Sequence, residues 1–260
     1  MEQFFFIAIC LLLGLGSGFL GGLLGIGGGV VLVPALIVIY DLFDRFAGQN
    51  LLIVAVGTSL SCIGFTSAAA AWTQYRAGKI RFDIVRTLLP FFLLGSFAAG
   101  FIAPHLPTWL YQGFIGVFLA LVGMVMFAAW QPDPRAGMPG LTGSACLGLG
   151  GGTVAGLAGI AGGNVIVPSL LLCNVPIHNA TATSSAMGVP IALLGALGFA
   201  LSSSSADQAH IDWWATPPII LAALFAAPLG VRFAHRVPAA TLKRWFAVLL
   251  FVVAARILLL

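Results

Sequence analysis

The fold is decided by a ten-residue motif that occurs twice, as GIGGGVVLVP at residues 25–34 and as GIAGGNVIVP at residues 159–168. Each motif begins with glycines, and consecutive glycines cost about 1 kcal/mol each inside a helix. Each ends in a proline, which lacks the N–H of an ordinary helical residue. We therefore expect each motif to interrupt one helix and to begin a second, short helix.

The two motifs belong to a longer internal repeat. When residues 13–36 are placed on residues 147–170, 15 of the 24 positions are identical. Self-similarity of this kind divides the chain into two related halves. We predict a first membrane repeat over residues 1–130, a cytoplasmic linker over 131–138 and a second membrane repeat over 139–260.

The composition excludes a water-soluble domain. Hydrophobic residues make up 60% of the 260 residues and charged residues only 7%, against about 45–50% and about 25% in soluble domains. The surface must therefore face lipid. The net charge of +4 does not indicate nucleic-acid binding, because no run of basic residues exceeds two. The four cysteines form no CxxC pair, so neither a zinc site nor a disulfide framework is expected.

Ten apolar segments are separated by polar or proline-containing breaks. Two of them are too short to cross a bilayer squarely, because a dozen helical residues reach about 18 Å against a hydrocarbon core of ~30 Å. Each short segment follows a glycine motif, so we expect it to form a broken or re-entrant hairpin with the helix before it. The sequence thus predicts an all-α integral membrane protein with four to five helical segments in each half. The segments are 4–24, 29–40, 50–73, 84–102, 109–129, 140–158, 164–174, 180–201, 213–231 and 241–260.

The distribution of basic residues predicts the orientation. Each hairpin returns the chain to the side where it began, so nine of the eleven basic residues fall on one side and only Arg45 and Arg256 on the other. The positive-inside rule makes the first side cytoplasmic and places both termini outside the cell membrane. Each half then crosses an odd number of times, so the halves form an inverted repeat, the plan of many secondary transporters. Tryptophans and tyrosines near segment ends, Tyr40 and Tyr111 among them, are expected at the membrane interfaces.

The glycine motifs are candidates for a substrate site. A helix that begins after a break presents free N–H groups and a partial positive charge, which suit an anion. In inverted-repeat carriers two such broken helices face each other. Glycines spaced by four in the preceding helices, such as Gly14, Gly18 and Gly22, are instead expected to allow close helix packing. The motif residues assigned to the site are Gly25, Gly27, Gly28, Gly29, Pro34, Gly159, Gly162, Gly163 and Pro168.

Hydroxyl and amide side chains form a second candidate cluster. They lie in the segment after each motif, where Thr58-Ser59 in the first half corresponds to Ser184-Ser185 in the second. Neutral donors bind the oxygens of an anion without the desolvation cost of a buried arginine. The alternative is that each hydroxyl bonds back to a carbonyl one turn earlier. The candidates are Thr58, Ser59, Asn179, Thr183, Ser184 and Ser185, together with Asn164, which stands where the first motif has Val30.

Other chemistry finds little support in the sequence. His178 is a possible gate or proton site, and a plain surface histidine is the alternative. All seven acidic residues fall in loops or at segment ends, so we expect no carboxylate relay across the membrane. No nucleophile elbow, zinc-protease, nucleotide-binding or metal-ligand motif occurs, so we expect neither an enzyme nor a bound cofactor or metal.

The twin glycine-proline motifs, each followed by a T-S or S-S pair, resemble those of the sulfite/organosulfonate exporter (TauE/SafE) family of membrane permeases. The resemblance spans nearly the whole chain and implies an inner-membrane carrier. It implies a small sulfur-containing anion as substrate, such as sulfite, sulfoacetate or another organosulfonate, and places the motif residues together with Thr58, Ser59, Ser184 and Ser185 at its site.

Three hypotheses about function follow from these observations. The first is a secondary transporter, here an exporter, which works by alternating access. The second is an anion channel or a sulfur-compound importer built on the same helix ends. The third is a membrane subunit that does not transport, which the lack of a large cytoplasmic loop disfavours. The expected partners are the anionic substrate and the lipid bilayer.

Overall fold

The first nine helical segments predicted from the sequence are present in the described part of the chain. A computed structural model describes residues 2–24, 28–46, 48–128, 137, 139–203, 210–233, 247–248, 250–252 and 254–255. Within these ranges the regular secondary structure is helical and includes no strand, so the all-α prediction is confirmed. The helices are α1 (Glu2–Leu24), α2 (Gly29–Leu42), α3 (Leu51–Arg76), α4 (Phe82–Ile102), α5 (Thr108–Phe127), α6 (Leu141–Leu157), α7 (Gly163–Leu172), α8 (Ile177–Ser202) and α9 (Thr216–Phe233), and the 3-10 turn Ala103–His105 follows α4.

The first nine predicted segments each correspond to one helix, with ends that differ by at most three residues. The tenth segment, 241–260, lies mostly outside the described residues. Its described positions, 247–248, 250–252 and 254–255, are helical. The predicted linker 131–138 lies outside them as well, except for Gly137.

The two helices that follow the glycine motifs are short, as predicted. Helix α2 has 14 residues and α7 has 10, which correspond to about 21 Å and about 15 Å of rise. Neither reaches across a hydrocarbon core of ~30 Å. Five helices in the described ranges are long and apolar enough to cross a membrane, judged by length and composition: Gln3–Gly22, Leu51–Arg76, Phe82–His105, Thr108–Val125 and His178–Ser202.

The helices pair across the two halves of the chain. Helix α1 packs along α9 and α6 packs along α4, while α3 and α8 pack against each other at the centre. The arrangement is unchanged when each helix of one half is exchanged for its counterpart in the other, which is consistent with an inverted repeat. Most of α3 is buried by its neighbours, whereas α5 is largely exposed at the periphery.

Glycines spaced by four form the long helix contacts, as predicted. A Cβ on Gly18 in α1 would lie 2.6 Å from the Cα of Ala223 in α9, and a Cβ on Gly152 in α6 would lie 2.9 Å from the Cα of Phe92 in α4. The backbones therefore touch at these points. Gly18 and Gly152 occupy equivalent positions in the repeat, so both halves use the same packing device.

Two of the segments that connect helices contact the sides of α3 and α8. The segment 210–215, just before α9, meets α3 two turns below its start, and the segment 79–81, just before α4, meets the start of α8. Of the aromatic residues expected at the interfaces, Tyr40 and Tyr111 are fully buried instead. Tyr111 donates a hydrogen bond to the carbonyl of Leu157 at 2.8 Å, which explains why its hydroxyl tolerates the interior.

Candidate functional site

Both glycine motifs break the helix at the predicted place. Gly28 (φ +72°) and Gly162 (φ +79°) are the N-cap residues of α2 and α7, and both adopt the left-handed conformation that favours glycine. At neither helix start does a capping side chain accept a hydrogen bond from the backbone N–H groups. The N–H groups of Val31 and Val165 bond to the carbonyls of Gly28 and Gly162, and the N–H groups before them have no side-chain acceptor at the cap. Gly25 and Gly27 lie outside the described residues.

The two motifs touch each other at the centre of the protein. A Cβ on Gly29 would lie 2.8 Å from the carbonyl oxygen of Gly159 and 3.2 Å from the Cα of Ile160. Only a glycine permits this contact between the start of α2 and the second break. The fold thus brings Gly29 of the first motif against Gly159 of the second, while Gly28 packs against Ser17 of α1 and Gly162 faces Ile166 of its own helix.

The prolines of the motifs lie inside the short helices. Pro34 is buried in α2 and Pro168 is half-buried in α7. Because proline has no N–H, each removes the helical partner of the carbonyl four residues earlier. Those carbonyls belong to Val30 and Asn164, so the same repeat position in each half is deprived of a helical bond.

Asn164 is the polar side chain of this region that lacks a partner. Its Nδ2 atom is buried and makes no hydrogen bond within the described part of the chain. Val30, the equivalent residue in the first half, is fully buried. A buried amide without a partner costs free energy, so this position is a candidate for contact with a ligand.

The α3 hydroxyls connect the second break to a neighbouring loop. Ser59 donates a hydrogen bond from Oγ to the carbonyl of Gly159 at 2.9 Å. Thr58 accepts hydrogen bonds from the N–H of Asp212 at 2.8 Å and from the hydroxyl of Tyr40 at 3.3 Å. Both residues are fully buried, so α3 holds the glycine break on one side and the 210–215 segment on the other.

The polar residues of α8 have similar roles. Thr183 accepts a hydrogen bond from the N–H of Arg81 at 3.1 Å, and Asn179 donates from Nδ2 to the carbonyl of Lys79 at 3.0 Å. Thr183 therefore corresponds to Thr58, one residue earlier than the pairing of Thr58 with Ser184 in the sequence alignment. The two threonines correspond because each accepts an N–H from the loop of the opposite half: Thr58 from Asp212 before α9, and Thr183 from Arg81 before α4.

The remaining candidates in α8 are two buried serines and an exposed histidine. Ser185 donates to the carbonyl of Thr181 at 2.9 Å, which is the alternative that the sequence left open. Ser184 is buried beside it. His178 is exposed in the first turn of α8, and its carbonyl accepts a hydrogen bond from Thr181 at 3.2 Å. It does not join the buried polar residues.

The sequence did not identify an ion pair that lies next to this region. Arg45, in the loop after α2, places Nη2 3.5 Å from Oδ2 of Asp212. The Asp212 side chain is only 1% exposed, although it lies between helices, where the sequence predicted it. Its Oδ1 atom accepts the N–H groups of Trp214 at 2.9 Å and Ala215 at 3.2 Å. The sequence signal was an Asp just before the start of α9, a frequent capping residue.

Metal-ligating side chains are dispersed. Across the described ranges no three His, Cys, Asp or Glu side chains lie close enough to hold a metal ion. The polar groups that converge near the glycine breaks are hydroxyls, amides and backbone N–H groups. Such groups hydrogen-bond the oxygens of an anion.

The chain is similar to proteins named as membrane transporters. The family model described as "Sulfite exporter TauE/SafE" matches residues 10–257. A protein of Haemophilus influenzae named "Probable membrane transporter protein" is 31% identical over 99% of this chain and 100% of its own length. Relatives from Methanocaldococcus jannaschii and Bacillus subtilis, also named as probable membrane transporter proteins, are 25% and 24% identical over 91% of this chain and 89% and 92% of their own lengths.

Proposed function

The chain belongs to the sulfite exporter TauE/SafE family, and from this premise we propose that it is a secondary transporter that exports small sulfur-containing anions by alternating access. It is a multi-pass membrane protein whose relatives are named as membrane transporters. The proposed substrates are sulfite, sulfoacetate or other organosulfonates. The proposed location is the inner membrane with both termini extracytoplasmic, and the protein acts without catalysis or cofactor.

The observation that carries this proposal is the contact between the two glycine breaks. The start of α2 at Gly29 packs against Gly159 and Ile160, which lie a few residues before the start of α7 at Gly163, and neither helix start is capped by a side chain. A helix start carries about half a positive charge. Two such starts attract an anion without the cost of burying an arginine. Asn164 adds a buried N–H donor with no partner in the described chain.

The helix pairing supports alternating access between two repeats, 1–130 and 139–260, joined by the linker 131–138. The contacts that link the halves run along α1 with α9 and along α4 with α6. In the proposed cycle one repeat rocks against the other around the glycine breaks. Moving one negative charge out of a cell with a negative interior releases about 2.3 kcal/mol per 100 mV, so export needs no coupled ion.

The proposal is tested by transport in proteoliposomes. We expect saturable net flux of labelled sulfite or sulfoacetate that an imposed membrane potential accelerates in the direction that moves negative charge towards the positive side. Unitary currents, together with a flux that does not saturate with anion concentration, would show that the protein is an anion channel and not a carrier. Folded protein that moves none of these anions would refute the proposal.

A matched pair of variants locates the substrate site. Asn164→Val introduces the residue that the first half has at the equivalent position, and it removes the buried amide. The control is Ser169→Ala in the same helix, since Ser169 only bonds back to the carbonyl of Val165 at 2.7 Å. We expect Asn164→Val to reduce the rate of anion transport by about tenfold or more, the effect of one lost hydrogen bond to a charged ligand. Equal transport rates in the two variants would remove Asn164 from the site.

A further inference from the structure

The ion pair between Arg45 and Asp212 has unused hydrogen-bonding capacity. Nη2 and Oδ2 are 3.5 Å apart, and Oδ2 makes no hydrogen bond to any described residue. Nε of Arg45 is also buried without an acceptor among these residues. A charge pair without an aligned hydrogen bond is weaker than the usual fork between guanidinium and carboxylate. Another anion can therefore compete with the Asp212 carboxylate for Arg45.

Only the arginine of the pair is partly exposed. The Arg45 side chain is 29% exposed, whereas that of Asp212 is 1% exposed. The guanidinium lies over the ring of Phe6, with Cζ 4.3 Å from the ring centre. An anion that comes from the water can thus reach Arg45 while the carboxylate stays fixed behind it.

Only one half of the repeat has this arrangement. The loop between α2 and α3, residues 43–50, is longer than the equivalent loop between α7 and α8, residues 173–176. The longer loop carries Arg45 over the 210–215 segment. At the equivalent place in the other half Arg81 forms an exposed pair with Asp83, with two aligned hydrogen bonds of 2.7 Å and 3.0 Å. The loop therefore adds a cation that the internal repeat alone does not supply.

The pair is connected to the glycine breaks through α3. The N–H of Asp212 bonds to Thr58, and the next residue, Ser59, bonds to the carbonyl of Gly159. The other titratable side chains whose charges interact with Asp212 are Cys10 of α1, Tyr40 of α2 and Cys62 of α3. His210 lies two residues away on the same segment. Arg45 is the basic partner of Asp212 within the described ranges.

We propose that Arg45 is a second anion-binding residue, at the mouth of the transport path, and that the Asp212 carboxylate is its built-in competitor. This inference rests on the proposed function and adds a site outside the glycine breaks. The anion, a sulfonate or another small oxyanion, binds when Arg45 leaves Asp212, and the carboxylate displaces it when the pair re-forms. Replacing the carboxylate by an amide removes the competing charge and leaves an oxygen to accept the N–H groups of Trp214 and Ala215. Anion affinity at this site therefore rises when the charge of residue 212 is removed.

Direct binding to the purified full-length protein tests the competition. The probe is methanesulfonate, which carries one negative charge, and its affinity is measured at neutral pH. Asp212→Asn keeps the acceptor for both N–H groups. This variant should bind methanesulfonate about tenfold or more tightly than the wild type, because it removes a negative charge next to the anion.

Two controls separate the possible causes. Arg45→Gln combined with Asp212→Asn should abolish the gain in affinity that Asp212→Asn shows alone. Asp83→Asn, which removes the exposed carboxylate of the pair with Arg81, should bind like the wild type.

The outcomes distinguish this inference from the proposed function. An Asp212→Asn variant with the affinity of the wild type overturns the inference, and so does a gain in affinity that persists when Arg45→Gln is added. Both results leave anion binding at the glycine breaks intact. If the folded wild type neither binds nor transports any of these anions, the proposed function fails and this inference with it. Asp212→Ser, which also removes the charge, gives the same test if Asp212→Asn fails to fold.

Discussion

At the scale of single residues, the two N-cap glycines have unequal tolerance for a side chain. A Cβ on Gly28 would lie 2.5 Å from the carbonyl oxygen of Ser17, whereas a Cβ on Gly162 would meet only the flexible end of Ile166 at 3.0 Å. Alanine in the left-handed region costs about 1–2 kcal/mol. We expect Gly162→Ala to lower the free energy of unfolding by about that amount and Gly28→Ala by more. Denaturant unfolding in detergent measures both, and equal losses would contradict the backbone clash at Gly28.

The Thr58 hydroxyl is expected to stabilise the fold through a buried acceptor. Thr58→Val leaves the N–H of Asp212 without its partner, which should cost about 1–3 kcal/mol. Ser61→Ala, the control on the same helix, removes only a bond to the carbonyl of Gly57 at 3.0 Å. We therefore expect a clear drop in the unfolding temperature for the first variant and a small change for the second. A similar drop for both would assign the effect to helix α3 as a whole.

His210 makes stability depend on pH. Burial lowers the pKa of its imidazole below the ordinary value of 6.5, so the folded protein holds the neutral form. Its contribution is fully present above pH 6.5 and is lost as the pH falls below that value, because the unfolded chain then binds the proton more readily. Unfolding temperatures measured across this range should fall with acidity. His210→Gln should flatten that part of the curve, and an unchanged slope would show that another group controls it.

At the scale of helices, the contact between α1 and α9 depends on particular glycines. Gly18 touches the backbone of Ala223, whereas Gly16 of the same helix faces open space. Gly18→Ala should separate the helices and destabilise the protein, while Gly16→Ala should be neutral or stabilising by up to about 1 kcal/mol, because alanine is the better helix former. Gly152→Ala and Gly150→Ala should repeat the contrast in α6. The unfolding temperatures of the four variants test it, and a failure in α6 alone would mean that the two halves pack differently.

The helices were predictable because their signals are local. Hydropathy and proline positions placed nine segments to within three residues, and the glycine motifs placed both breaks. The burial of Asp212 was not predictable in the same way. It depends on the loop 43–50, whose cation comes from a distant part of the chain. The pairing of Thr58 with Thr183 was missed by one residue because the two loops that precede α3 and α8 differ in length.

At the scale of the whole molecule, the position of the loops predicts the topology. The loop with Asp44 and the segment 210–215 lie together on one face, and the loop with Lys79 contacts the start of α8 on the other. In a variant without native cysteines, Asp44→Cys should react with an impermeant thiol reagent in intact cells. Lys79→Cys should react only after the membrane is permeabilised. The reverse result would invert the proposed orientation without changing the fold.

The candidate site was only partly predictable at this scale. The sequence named the glycines, Asn164 and the hydroxyls, and the fold brings the two motifs into contact at Gly29 and Gly159. It also shows that Asn179, Thr183 and Ser185 already bond to protein groups, which an alignment of two halves cannot reveal. His178 is exposed because Pro176 begins α8 at the surface, one turn before the chain becomes buried.

The most direct test of the central claim is the accessibility of position 164 from the two sides of the membrane. Asn164→Cys is made in a background without native cysteines, and an impermeant thiol reagent is applied to right-side-out and to inside-out vesicles. Alternating access around the glycine breaks predicts modification from both sides, slowed from both by sulfoacetate. Modification from one side only, at a rate that the anion does not change, would contradict it.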